Sequence, residues 1–401
     1  MNPLVAIETH PIQYHAPVYR SVQQRFGIPV TVIYGSDCSV AGYRDTEFGT
    51  SFAWDTDLTS GYDSVFLSRE PVDHEASTSG LGKVLRKLKP SAVLSVGYSP
   101  MFHQIAFLQA WNSGVPILFR GETSDHARCR SAFREFARAR ALALFYARCA
   151  KLLYVGEHSQ QHFRRLGVPE TKLLFSPYCV DMKSFRTSER DRRSLRDSTR
   201  EQLHIGSHEI VVLFSGKLSE RKGPDLLLAG VKTLPPEVRD RIVVLFLGSG
   251  AMETNLKDRA RQAPDIKVRF VGFQNQSQLS PYYHAADLLV LPSRHSETWG
   301  LVVNEALHHG LPCVVSKAVG CQPDLIIPGR TGETFETNST DSLAAAIVKV
   351  LALVGQSDIR DTCRERVSGY TVERAAEGIA EAYWSVVGAK KGVGVQCQNL
   401  G

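Results

Sequence analysis

Short apolar runs alternate with helical periodicities along almost the whole chain. Leu4 to Thr9 reads as a buried strand, and Val18, Val22 and Phe26 then share one helical face until Gly27 and Pro29 end the pattern ahead of a second apolar run, Val30 to Tyr34. Strand, helix and strand in that order open a parallel α/β sheet. Further strands are expected at 64–67, 92–96, 117–120 and 152–155, with helical patterns at about 80–89, 101–113, 131–150 and 158–166 between them. The alternation predicts a doubly wound domain over residues 1–180, interrupted by a polar and aromatic excursion at 36–62 that could cover a site.

Residues 181–208 lose periodicity and crowd Arg190, Asp191, Arg192, Arg193, Arg196 and Asp197 together, so an exposed linker is expected there. A second α/β series fills 209–371, with strands at 210–214, 242–247, 267–271, 288–291 and 313–316 and helices at about 225–233, 252–262, 278–285, 301–309 and 341–353. A last amphipathic pattern at 372–388 should pack across the domain junction, and the Gly-rich tail, 389–401, reads as flexible. The expected fold is therefore two Rossmann-like α/β domains facing each other across a cleft.

The length of 401 residues suits two domains, and 43% hydrophobic with 22% charged residues is ordinary for a globular enzyme. No apolar run approaches the roughly 20 residues of a membrane span, and Met1 to Val5 enters a strand with no basic leader, so a cytoplasmic place is expected. Eight cysteines stand singly without metal-binding spacing and read as reduced and structural. The formal charge of +6 is uneven, because Arg128, Arg130, Arg134, Arg138, Arg140, Arg148 and Lys151 share one stretch. These alternate with Phe133, Phe136, Leu142, Leu144, Phe145 and Tyr146, which should pack on the first sheet and leave the arginines solvated. A peripheral membrane contact through residues 128–151 is the sharper alternative, and it would suit a lipid-linked acceptor.

Ligands of such sheets collect at the carboxyl ends of the strands. There the second domain carries Gly216-Lys217-Leu218-Ser219-Glu220-Arg221-Lys222-Gly223, two ammonium groups that can neutralise a diphosphate or simply form a solvated basic loop. Gly248-Ser249-Gly250 has Glu253 where a dinucleotide fingerprint needs a third glycine, yet it still allows close backbone approach to a base or ribose. Between Pro292 and Leu307 a strand empties into a polar loop that becomes a helix at Gly300, and the first N–H groups of that helix offer an anion site. Glu297 and Glu305 bracket this helix start. Glu305 suits ribose hydroxyls and Glu297 sugar hydroxyls, against the plain alternative that both are solvated surface carboxylates.

Glu297-x7-Glu305 around Gly300, Gly216-Lys217 with Lys222-Gly223, Gly248-Ser249-Gly250 and Gly310-Leu311-Pro312 together resemble the retaining GT-B glycosyltransferases of family 4. The resemblance implies that Glu297 contacts the donor sugar, Glu305 holds the ribose, and Gly300 with Leu301 meets the diphosphate. Lys217 and Lys222 stand where the family has an arginine and a lysine that clamp the diphosphate, so Lys217 supplies a point charge without the bidentate fork. Phe273 and Trp299 join the expected donor-binding set. In the first domain many members carry a histidine just after the strand that here ends at Arg120, whereas this chain has Gly121-Glu122 there and His126 later. Glu122 is the candidate on the catalytic side, and His10 and His15 are further substrate-contact candidates.

What this implies is retaining transfer of a hexose or N-acetylhexosamine from a nucleoside diphosphate sugar, UDP-linked, to a hydroxyl of a saccharide or lipid-linked saccharide in polysaccharide biosynthesis. No cofactor, no nucleic-acid partner and no metal is expected, there being no Asp-x-Asp cluster near the phosphate site. The alternatives are a phosphorylase or sugar-nucleotide epimerase on the same architecture, or a non-catalytic binder of anionic polymer through residues 128–151.

Overall fold

The computed structural model describes residues 1–45, 50–52, 54–69, 76–123 and 132–388. His126, Arg128, Arg130 and the expected flexible tail lie outside the described residues, as do the side chains of Phe133 and Arg134.

The first half runs β1 (Leu4–Glu8), α1 (Ala16–Phe26), β2 (Val30–Tyr34), α2 (Cys38–Ala41), β3 (Tyr43–Asp45), β4 (Thr50–Phe52), β5 (Asp63–Phe66), α3 (Leu81–Leu88), β6 (Ala92–Ser95), α4 (Met101–Asn112), β7 (Ile117–Gly121), α5 (Ala132–Ala147), β8 (Lys151–Tyr154), α6 (Glu157–Arg165) and β9 (Leu173–Phe175). Seven of these strands form a sheet in the order β5-β2-β1-β6-β7-β8-β9, every neighbouring pair parallel. The central strands β1, β2, β6 and β7 are fully buried, as expected of a parallel sheet covered on both faces, whereas the edge strand β5 (Asp-Ser-Val-Phe) is only half-buried. In β1, Leu4 and Ala6 enter the core shared with α1, while Val5 and Ile7 enter the one shared with α3 and α4. The excursion at 36–62 holds α2 and the antiparallel pair β3–β4, and Asp55 beyond it accepts hydrogen bonds from the N–H and hydroxyl of Ser277 in the second half.

The second half runs α7 (Glu189–Gln202), β10 (Ile210–Ser215), α8 (Pro224–Lys232), α9 (Pro236–Arg239), β11 (Ile242–Leu247), α10 (Glu253–Gln262), β12 (Lys267–Gly272), α11 (Ser280–Ala285), β13 (Leu288–Leu291), α12 (Leu301–His308), β14 (Cys313–Ser316), α13 (Gln322–Leu325), β15 (Gly332–Phe335), α14 (Thr340–Leu351), α15 (Ile359–Val367) and α16 (Val372–Val387). Its sheet is again parallel, in the order β12-β11-β10-β13-β14-β15. Val211 and Leu213 of β10 pack to one side of it, and Val212 and Phe214 to the other.

The structure corrects two expectations of organisation. The stretch 181–208 is not an exposed linker, since it contains α7, which Ser188 caps by accepting from the Asp191 N–H. Arg196 and Arg200 of this helix each reach Asp287 at 2.7 Å and donate to the carbonyls that end α11. The packing face is made of guanidinium groups, so hydropathy reads a helix docked on the second domain as a solvated tether. Secondly, α16 does not lie astride the junction. It crosses back and buries Ala375, Ile379, Ala382 and Tyr383 in the core of the first sheet, beside α1. Gly378 faces β9 so closely that a Cβ there would collide with the Phe175 carbonyl oxygen.

Candidate active site

In the second sheet the chain winds from β10 to one side through β11 and β12, and from β13 to the other through β14 and β15. The loops after β10 and β13 therefore part from each other, and a crevice opens between them at the point where strand order reverses. These two loops carry Lys217 and Lys222 on one side and Glu297 with Gly300 on the other.

Backbone contacts bring the loops to a fixed separation. Gly216 and Gly248 have φ of 137° and 140°, and a Cβ on Gly248 would collide with the Gly216 carbonyl oxygen. A side chain is excluded there on both counts. Gly223, with φ 66°, presses likewise on the Pro292 carbonyl and starts α8. Arg294, next to Ser293, clamps the two loops with a bidentate pair to Asp225 at 2.8 and 2.9 Å and a hydrogen bond to the Glu220 carbonyl at 2.9 Å.

Lys222 Nζ consequently stands 2.5 Å from Glu297 Oε2, which also accepts from Ser293 Oγ at 2.8 Å, with Arg221 at 3.6 Å. Burial alone would raise the Glu297 carboxyl, but the Lys222 charge and hydrogen bond, with help from Ser293 and Arg221, hold it below the usual carboxylate range. Glu297 is thus an ionised group inside a protein wall. Lys217 is half-buried on the same loop as Lys222.

Glu305 behaves in the opposite way. It is 8% exposed, and its Oε2 accepts from the Tyr283 hydroxyl at 2.5 Å. Burial pushes its carboxyl up to about 7, against the lowering pull of Tyr283 and Lys222. It opens onto a pocket of about 110 Å³ lined also by Ser215, Gly216, Gly248, Phe273 and Val302, and by Gln13 and Trp54 from the first domain. Gly250 (φ 156°) lies two residues past Gly248 on the same loop. Gly300 and Leu301 begin α12 just ahead of Val302; Gly300 has φ 102°, and no side chain caps the helix start. Gly216, Gly248, Phe273 and Glu305 are thus gathered around one pocket, with Lys222 and Glu297 beside it.

Two expected donor contacts are placed elsewhere. Trp299 does not line the pocket: it is 4% exposed, its indole N–H is spent on Asn304 Oδ1 at 2.8 Å, and its ring packs between Tyr178 and Tyr370. A large ring with its one donor satisfied is stable as packing, and here it seals the domain junction. His15 is also buried, with Nδ1 2.8 Å from Glu8 Oε1, an oxygen that accepts from the Tyr19 hydroxyl as well. It belongs to the interior of the first domain. His10, half-buried at the end of β1, meets Thr9 Oγ1 at 3.0 Å. Glu122 is half-buried at the junction, hydrogen-bonded to the Tyr178 hydroxyl and close to Tyr14.

Pattern reading overlooked Gln13, Trp54, Tyr283 and Arg294. For Arg294 a signal existed, since it lies three residues before Glu297 inside the same loop. The two domains also meet through Asp324, which accepts from the Glu157 N–H at the start of α6 (3.0 and 3.1 Å) and from the Tyr370 hydroxyl (2.9 Å); burial pushes its carboxyl up to about 6.

Residues 196–366 match the family described as Glycosyl transferases group 1. That stretch is a glycosyl transferases group 1 domain. It holds Lys217, Lys222, Glu297 and Glu305, so the crevice lies within the matched segment. Over 188 residues the chain is 35% identical to a D-inositol 3-phosphate glycosyltransferase of Mycobacteroides abscessus, covering 46% of this chain and 42% of that protein. A D-inositol 3-phosphate glycosyltransferase of Saccharomonospora viridis is 29% identical over 347 residues, 80% of this chain and 77% of the relative. The chain spans about half the length of most of the curated relatives it matches. Among solved structures, Anabaena Alr3699/HepE in complex with UDP superposes with a TM-score of 0.71 at 16% identity, over 96% of this chain and all of that one. The glycosyl transferases group 1 domain and the sheet before it together make the GT-B fold, two Rossmann-like domains face to face.

Proposed function

We propose that this protein is a retaining glycosyltransferase that moves a hexose or N-acetylhexosamine from a UDP-sugar to a hydroxyl of a saccharide or lipid-linked saccharide. The observation that carries the reading is the crevice at the strand-order reversal, where Lys222, the open start of α12, Glu297 and Glu305 converge beside one pocket. A uridine would sit in the pocket with its ribose on Glu305, and its diphosphate would meet Lys217, Lys222 and the N–H groups after Gly300. The sugar would then lie against Glu297. As the bond from the anomeric carbon to the diphosphate oxygen breaks, negative charge grows on the diphosphate, and the cations and N–H groups stabilise it where it forms. The acceptor hydroxyl attacks from the same face and passes its proton to the departing phosphate oxygen. No cofactor or metal takes part in this scheme. Glu122, half-buried at the junction edge of the first domain, would serve the acceptor side.

The D-inositol 3-phosphate glycosyltransferases among the relatives point to inositol phosphate as another class of acceptor, and the UDP complex of the Anabaena protein supports the choice of base. The test is Glu305→Ala, read by calorimetry with UDP and by turnover. The expected result is UDP affinity down at least tenfold with turnover lost, and unchanged affinity and turnover would remove the assignment.

A membrane contact in the first domain belongs to the same reading. No helix among the described residues is long and apolar enough to cross a membrane. On adjoining helices, however, Met101, Leu108 and Trp111 of α4 and Phe136 and Leu144 of α5 are exposed, with Arg140 over Phe136 and Arg148 over Trp111. Apolar groups ringed by arginines suit an anionic lipid surface, at the inner face of a membrane where a lipid-linked acceptor would lie.

A further inference from the structure

Glu305 reaches the pocket with one of its oxygens already taken. Tyr283, on α11, is fully buried and donates its hydroxyl to Glu305 Oε2 at 2.5 Å. Its ring lies flat on the imidazole of His309, the centroids 4.9 Å apart and the planes 19° from parallel. His309 in turn is held at both nitrogens, Nδ1 at 2.7 Å from the Glu305 carbonyl oxygen and Nε2 at 2.9 Å from Ser280 Oγ. Ser280 opens α11 and His309 closes α12, so these contacts fasten the two helices together directly behind the carboxylate.

We propose that Tyr283 is a positioning residue for the nucleotide: its hydroxyl occupies Oε2 of Glu305 and holds the carboxylate ionised and turned so that Oε1 accepts from the ribose hydroxyls of a nucleoside diphosphate. This rests on the reading of Glu305 as the ribose residue. A carboxyl group accepts from ribose hydroxyls most strongly, and with both oxygens, when it has lost its proton, and burial has raised this one to about 7, so nucleotide affinity depends on what else favours the charge. Two groups do so from other elements, Tyr283 from α11 and Lys222 from the loop after β10; Ser215 of β10 faces the tyrosine hydroxyl without a charge. On α12 itself and at its end, burial lowers His308 to about 4 and His309 to about 3, so both are neutral and silent between pH 6 and 9. Removing the Tyr283 hydroxyl leaves Oε2 buried without a donor, which raises the carboxyl further and frees its orientation. The sign follows: affinity should fall as the pH drops through the Glu305 transition, and that transition should lie higher without Tyr283.

Tyr283→Phe is the informative variant because the ring, and with it the stack on His309, is retained. Whichever of UDP, GDP and ADP binds the wild type most tightly is titrated by calorimetry from pH 6 to 9 into wild type, Tyr283→Phe and Glu305→Gln. The ratio of each variant to wild type at each pH cancels the ligand's own titration. For Tyr283→Phe the expected ratio is a loss of about tenfold at pH 7 that narrows to within threefold at pH 9. A ratio independent of pH, whether near one or uniformly low, overturns the assignment of Tyr283. Glu305→Gln binding as tightly as wild type, or no diphosphate binding at all, overturns the ribose reading itself, and the two failures are thus told apart.

Discussion

Lys222 and Glu297 form the tightest charged contact at the crevice, and each depends on the other. With Nζ at 2.5 Å the lysine offsets the burial of the glutamate; without it a carboxylate would stand inside the wall beside only Ser293 and the more distant Arg221. Lys222→Ala should therefore do two things at once. It should weaken the proposed diphosphate contact, and it should raise the Glu297 carboxyl so that a larger fraction is protonated at neutral pH. The expected outcome is a fall in turnover on the order of 10²-fold, the scale of losing one group that stabilises developing charge. Steady-state kinetics check it, and a variant within threefold of wild type would contradict the role. The same scale explains what the residues alone could reveal. Glu297 and Glu305 were legible because a strand, a polar loop and a helix start run consecutively through them. Arg294 and Tyr283 were not, since Arg294 acts on Asp225, 69 positions away, and Tyr283 on Glu305, 22 positions away. Trp299 misled for the converse reason: an aromatic ring beside an anion site has the same pattern whether it faces a ligand or the other domain.

Among the elements, buried parallel strands were the easiest to read, because β11, β13 and β10 up to Phe214 are unbroken apolar runs whose two faces are both covered. The edge strands did not stand out, β9 because it has only 3 residues and β15 because its Gly-Glu-Thr-Phe run is mostly not apolar. Helix α7 was hidden because its docked face is arginine. For α16 the amphipathic face was legible but its partner was not, and there Gly378 decides the geometry. On helix propensity alone Gly378→Ala should stabilise the protein by about 1 kcal/mol. The Phe175 carbonyl occupies the space a Cβ needs, and overpacking of this kind costs about 1–3 kcal/mol. The prediction is a net loss of stability, seen as a lower urea midpoint, and a raised midpoint would show that α16 can retreat from β9.

The molecule as a whole carries its two specialised surfaces on different domains. The crevice at the strand-order reversal opens in the second, with Gln13 and Trp54 of the first domain at its pocket, while the exposed apolar and arginine face of α4 and α5 is in the first. That face lacks carboxylates apart from Glu135 among its described helical residues, and Glu135 is already paired with Arg138 and Arg165. Leu144→Glu puts a charge where lipid contact is expected, on a side chain 69% exposed, so the fold should not feel it. Sedimentation with phosphatidylglycerol vesicles should drop at least fivefold in this variant, with little binding of either form to phosphatidylcholine. Equal sedimentation of variant and wild type would reject the membrane contact.

The packing of Trp299 has a mechanical side. It lies two positions after Glu297 and one before Gly300, and its ring is gripped between Tyr178 of the first domain and Tyr370 at the return crossing. Glu297, proposed to face the sugar, and the helix start after Gly300, proposed to meet the diphosphate, are therefore mounted on the same short arm, with its far end held at the junction. A rotation of one domain against the other cannot leave that arm still: either the ring slips from Tyr178, or the arm turns and carries Glu297 with it.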